Sequence, residues 1–214
     1  MLSLSSKTAA SFIQYAQQLV INAIDKNKEI IGEPGIIVEV DKSKFSTHKY
    51  HRGRVVASKK WVFGGIERTE ERNFFAITVD NREAQTLDAV MRLYIDPGSI
   101  IYSDGWRGYI KLVEKGICSQ HESVNHSKNY VNHQKSTCTN GIEGQWAVLK
   151  QHISKCQRTD DLLDDCLLEE VWRHQNKHKL WEALGYTLAT VTYLDDNSND
   201  DIEEQETNKN VVQV

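Results

Sequence analysis

The sequence has no long apolar run, no cysteine pair at zinc-binding or disulfide-exchange spacing, and almost no positive charge at its C-terminal end. No stretch approaches the ~18 apolar residues that a membrane span requires. At the N-terminus, Gln14, Gln17 and Gln18 interrupt the short apolar stretch behind Lys7, so a secretory signal is not expected. The four cysteines, Cys118, Cys138, Cys156 and Cys166, lie 20, 18 and 10 residues apart and read as scattered reduced thiols. The protein is therefore expected to be soluble and not secreted, cytoplasmic in a bacterium and nuclear in a eukaryote. The scarcity of basic residues is local. From Asp195 onward there are seven acidic residues and one lysine, Lys209, so residues 1–194 carry +2 of the net charge of −4. The acidity belongs to the tail, and a polyanionic partner for the rest of the chain stays open.

The 214 residues suffice for one full-sized domain with appendages. Residues 194–214 have too little apolar surface to offset their ordering entropy and read as an acidic disordered tail. Residues 1–35 read as a leading helix, Ser6 to Asp25, capped by Ser5 or Ser6 and followed by a Gly32-Glu33-Pro34-Gly35 break. Between them, residues 36–193 predict three strands (36–40, 61–66, 74–79), a helix over 84–94, a strand over 99–103 and a helix over 105–115. A short strand over 119–126 and helices over 139–155, 160–178 and 181–192 follow. The fold class is α/β. Three strands in succession suggest an antiparallel meander opening the sheet.

In mixed sheets functional groups gather where strands end. Asp41 follows IIVEV and Asp104 follows SIIYS, so each is placed at the sheet rim. An aspartate there also serves as a turn former or helix cap, and Asp104 before Gly105-Trp106 suits a cap. On the helix from Thr139, Ile142, Trp146, Leu149 and Ile153 form the buried stripe, with Glu143 and Lys150 beside it on one flank. Glu143 and Lys150 also fit a solvated charge pair. Three carboxylates from separated segments suit hard Mg²⁺ or Mn²⁺, two of which assist phosphodiester displacement. Directly after Asp41, the stretch to Lys60 holds seven basic residues, among them Lys42, Lys44, Lys49, Arg52 and Arg54, with Phe45 and Tyr50 between them. It reads as a phosphate-tracking loop or hairpin, or as a generic basic loop. His126 is a structural histidine or a neighbour of the site.

The segments VEVDKSKF, HRGR, WVFGGIER, IIYSDGWRGY, VNHS and TNGIEGQWAVLK, in that order over residues 36–185, resemble the catalytic domain of Merlin-type DDE transposases and their bacterial insertion-sequence relatives. The resemblance implies an RNase H-like mixed five-stranded sheet flanked by helices, with extra C-terminal helices. It implies a metal-binding catalytic triad of Asp41, Asp104 and Glu143, and two Mg²⁺ or Mn²⁺ ions. Asn140 and Lys150 match accompanying polar positions that contact DNA or the active site, and His126 matches the histidine of the N-H-S segment. The implied activity is cleavage of double-stranded DNA and transfer of the freed 3′-hydroxyl to a target strand. Family members carry an N-terminal zinc-binding and helix-turn-helix region. This chain has about 35 residues before the first strand and no cysteine before Cys118, so a truncated or domesticated copy is expected. Two other readings stand beside it: a host-adopted DNA-binding or interaction protein without chemistry, and an RNase H-like nuclease without strand transfer. Double-stranded DNA is the expected partner, a homodimer an open option, and a membrane is not expected.

Overall fold

The computed structural model describes residues 5–24, 30–45, 60–124 and 138–190. Alternation of side chains builds the first strand. In β1 (Ile37–Lys44) Val38 and Val40 point to one face and are fully buried, while Glu39, Asp41 and Ser43 share the other. β2 (Trp61–Glu67) and β3 (Phe74–Val79) complete an antiparallel meander with β1. β4 (Ile100–Asp104) and β5 (Gln120–Val124) join it in parallel, giving one sheet in the order β3-β2-β1-β4-β5. This mixed α/β sheet, antiparallel first and then parallel, is the RNase H-like arrangement that the resemblance implies.

Helices cover both faces. α2 (Ala84–Tyr94) lays Leu87, Val90 and Met91 on Val38, Val40, Phe63, Phe75 and Ile101, where Tyr109, Leu112 and Ile117 also pack. α3 (Asn140–His152) and α4 (Leu163–Gln175) cover the opposite face, where Ile142, Trp146, Leu149, Ile153 and Leu167 meet Phe45, Val62, Ile66, Phe74 and Ala76. The predicted stripe of α3 is thus the stripe that is buried. α1 (Ser6–Asn22), capped by the Ser5 hydroxyl on Thr8 N–H, and α5 (Leu180–Thr190) lie outside this layer. α1 reaches α4 through Gln17 Nε2, which donates to Glu169 Oε2 at 3.0 Å. Among the described residues no helix is long and apolar enough to cross a membrane.

Two expectations differ from the structure. β1 does not stop at Val40 but runs on to Lys44, because β2 pairs with it along its whole length, from Val38 with Glu67 to Lys44 with Trp61. Asp41 therefore sits inside a strand, not past its end. Residues 105–115 do not form a helix; a single 3₁₀ turn, Arg107–Tyr109, is followed by turns. Lys111 takes a positive φ of 76°, which breaks a helix. A Cβ on Gly108 would fall 1.8 Å from the Trp106 ring, so the indole occupies the space a side chain there would need. The acidic tail, residues 194–214, lies outside the described residues.

Candidate active site

The register of two parallel strands sets the site. β1 pairs with β4 at a constant offset of 63 residues, from Ile37 with Ile100 to Glu39 with Tyr102. The last pair is Glu39 with Tyr102, and Asp41 and Asp104 each lie two residues beyond it on neighbouring strands. Their carboxylates feel each other. Burial holds the Asp41 carboxyl above its usual range, and the negative charge of Asp104 adds to the rise. The Lys42 backbone N–H, the Trp146 side chain and the Lys42 ammonium pull the other way.

Lys42 supplies the local countercharge. Its ammonium lies 2.9 Å from Asp104 Oδ2, with only 9% of the side chain exposed, and sits 4.9 Å from the Trp106 ring centre and 5.2 Å from that of Tyr109. The other Asp104 oxygen accepts the Trp106 backbone N–H at 3.2 Å, so Asp104 acts as a turn former and not as a helix cap. Tyr109 is buried beside both aspartates, which together with burial push its phenol far above the ordinary range. Its hydroxyl has no hydrogen-bond partner among the described residues.

On the other face α3 is fastened to β1 at three points. Glu39 Oε2 accepts the Ile142 backbone N–H at 3.0 Å, Asp41 Oδ2 accepts Trp146 Nε1–H at 3.0 Å, and Ser43 Oγ accepts from Lys150 Nζ at 2.6 Å. Two residues along a strand advance about 6.6 Å, and four along a helix about 6.0 Å. Positions 39, 41 and 43 therefore stay in step with 142, 146 and 150. Glycines make room for this docking: a Cβ on Gly64, the cross-strand partner of Asp41, would lie 2.6 Å from Trp146 Cη2, and one on Gly141 would lie 2.8 Å from Glu39 Oε2.

A family model described as the ISXO2-like transposase domain matches residues 35–159, more than half of the chain. The chain belongs to that family. It is also similar to an uncharacterized transposase-like protein of Haemophilus influenzae, 28% identical over 103 residues that make up 48% of this chain and 80% of the relative.

The structure of this transposase domain brings some of the expected site residues together and leaves others apart. Asp41, Asp104 and Lys42 converge, and Lys150 joins them at Ser43. Burial lowers the Lys150 ammonium from its usual range, as does nearby Arg158, while Asp41 raises it. Glu143 is exposed on α3, with one carboxylate oxygen 3.5 Å from Thr139 Oγ1. Among the described residues no group of three or more His, Cys, Asp or Glu side chains is arranged to hold a metal ion. Asn140 is exposed in the first turn of α3, and Lys44 is exposed at the end of β1. Lys49, Arg52, Arg54 and His126 lie outside the described residues.

Two functional positions were not singled out in the sequence. Trp146 was assigned to the core stripe alone, yet it also orients Asp41. Glu39 is 2% exposed and holds the amino end of α3 while its other oxygen accepts from Arg68 Nε. A single charge inside an otherwise apolar strand, two residues before Asp41, is the signal that pointed to it. In donor chemistry the aspartate pair fits a hard divalent cation: both side chains offer carboxylate oxygens, and their mutual repulsion is what such a cation relieves.

Proposed function

We propose that this transposase domain is a metal-dependent DDE polynucleotidyl transferase that cuts double-stranded DNA and transfers the freed 3′ end, with Asp41, Asp104 and Glu143 as its carboxylates. The placement of Asp41 and Asp104 two residues past the last pair of adjacent parallel strands, close enough for their charges to interact, carries the reading. Asp41 and Asp104 would hold Mg²⁺ or Mn²⁺, with Glu143 completing the set for two ions. Bound there, the metal supplies a Lewis acid that activates an attacking water or 3′-hydroxyl and stabilises the leaving oxygen.

The chain's own residues prepare that chemistry. Trp146 fixes one oxygen of Asp41, and the Trp106 N–H fixes one oxygen of Asp104. Lys42, nearly buried, offsets the charge of Asp104 inside the site, whereas exposed Lys44 faces outward to phosphates. Lys150, tethered at Ser43 beside Asp41, brings a cation to the flank of α3 that carries Glu143. Both cleavage and strand transfer are displacements at phosphorus, so one site serves both.

The test is nicking and strand transfer on a labelled duplex with Mn²⁺. Wild type is expected to act, and Asp41→Asn, Asp104→Asn and Glu143→Gln to lose at least about 100-fold in rate with unchanged circular dichroism. A folded wild type that leaves DNA intact with every divalent ion tried refutes the reading. The exposure of Glu143 favours a second reading: a host-adopted DNA-binding protein that keeps the fold without the chemistry. That protein would bind duplex equally well with and without Mn²⁺, and Glu143→Gln would change nothing.

A further inference from the structure

The carboxyl ends of β1 and β3 and the amino end of β2 meet at the same edge of the sheet as Asp41. At this edge Lys44 pairs with Trp61, and Trp61 with Val79. The Trp61 indole is half-buried and packs on the α2-side core, so its orientation is set by the fold. Two cations rest on it: the Arg82 guanidinium 4.1 Å from the ring centre and the Lys44 ammonium 5.9 Å from it. The corner that presents Arg82 is also ordered, since Asn81 Oδ1 accepts the Glu83 N–H at 2.9 Å and the Thr86 hydroxyl at 2.7 Å. Both cations are exposed, and neither forms an ion pair among the described residues.

Unpaired cations held in place on an aromatic plate form a site for an anion. Most lysines and arginines of known position that could serve as phosphate contacts are engaged elsewhere: Lys60 with Asp164, Arg68 with Glu39 and Lys115 with Asp88. Lys44 and Arg82 are not. The cluster begins three residues along β1 from Asp41, about 10 Å at the usual rise per residue, which corresponds to roughly three base pairs at 3.4 Å each.

We propose that Trp61, Lys44 and Arg82 form a phosphate-binding platform that grips the backbone of duplex DNA flanking the cleaved bond. The proposal deepens the transposase reading and rests on it for the identity of the polyanion. The planar guanidinium over the indole offers its N–H groups to two phosphate oxygens, while Lys44 adds a point charge beside it. Such contacts fix register on the backbone and carry no sequence information.

The experiment is fluorescence anisotropy of a labelled 20-base-pair duplex in EDTA, read as a function of salt, so that binding is measured without chemistry. Arg82→Gln is expected to weaken binding at least about 5-fold and to lower the salt slope by about one, and Lys44→Gln with Arg82→Gln by about two. Arg82→Lys, which keeps the charge but loses the planar two-pronged donor, should retain the slope and lose part of the affinity. Lys179→Gln just before α5, where Lys179 pairs with Glu182, is the control and should match wild type. A slope unchanged in the double variant, or a wild type that binds no duplex, overturns the platform. Parallel cleavage assays keep the two readings apart. Loss of slope in a protein that never cleaves supports the platform and sinks the catalytic reading; normal cleavage with an unchanged slope does the opposite.

Discussion

The indole of Trp146 spans the face of β1 and β2: its ring fills the space over Gly64 and its Nε1–H ends on Asp41 Oδ2 at 3.0 Å. One side chain thus joins the core of α3 to the acidic site. Its two jobs separate by substitution. Trp146→Phe keeps an aromatic ring in the core but removes the donor, so a hydrogen bond to a charged group worth about 1.5–3 kcal/mol is lost. We expect an intact fold with reduced Mn²⁺-dependent cleavage, measured by circular dichroism and duplex nicking on the same sample. Trp146→Ala also removes the core ring and should cost about 3–5 kcal/mol of stability.

Gly64→Ala tests the space over which that indole lies. The added Cβ would sit 2.6 Å from Trp146 Cη2 and 2.7 Å from the Phe75 carbonyl oxygen, and the backbone oxygen has little room to yield. Overpacking of this kind costs about 1–3 kcal/mol. Urea unfolding should show a lower midpoint at an unchanged slope. Gly144→Ala on α3, where nothing lies within 4 Å, is the matched control and should hold or raise stability.

Glu39→Ala removes the acceptor for the Ile142 N–H and leaves the Arg68 guanidinium without its carboxylate partner. Breaking a buried pair from one side costs about 3–5 kcal/mol. Because Glu39 holds the amino end of α3, amide exchange should speed up first in residues 140–143, ahead of the β-sheet. Uniform acceleration over the whole chain would contradict this local role.

Cys118 gives the chain a pH dependence. Burial pushes its thiol from an ordinary value of 9 up to about 11, against hydrogen bonds involving Ile101 and Gln120 that lower it. Between those values the unfolded chain has already released the proton that the folded chain keeps. Stability from this group is therefore complete below about pH 9 and declines as pH rises through about 11. Urea midpoints at pH 8, 9, 10 and 11 should fall in wild type and fall less in Cys118→Ala. An equal decline in the variant would assign the whole effect to other groups, such as Tyr109, whose raised phenol acts in the same direction.

Asp41 and Asp104 were legible as candidate residues because each follows an apolar, β-branched run, and the buried stripe of α3 was legible because its apolar residues recur at helical spacing. Those are local patterns, and β3 and α2 match them to the residue. Residues 105–115 were misread for the converse reason. Their periodicity looked helical, but the Trp106 ring packed at Gly108 and the positive φ of Lys111 are properties of the folded chain.

By itself the sequence determined which segments alternate, which recur every three to four residues, and which carboxylates stand near their ends; short-range sterics and hydrophobic periodicity suffice for that. Only the tertiary structure decided that Asp41 and Asp104 lie close enough for their charges to interact, that Lys42 turns inward to Asp104 while Lys44 and Arg82 rest exposed on Trp61, and that Glu39 holds α3. Strand register and helix docking depend on partners 29 to 107 residues away, from Arg68 on Glu39 to Lys150 on Ser43. No local pattern encodes such a pairing, because its free energy arises only when the distant surfaces meet.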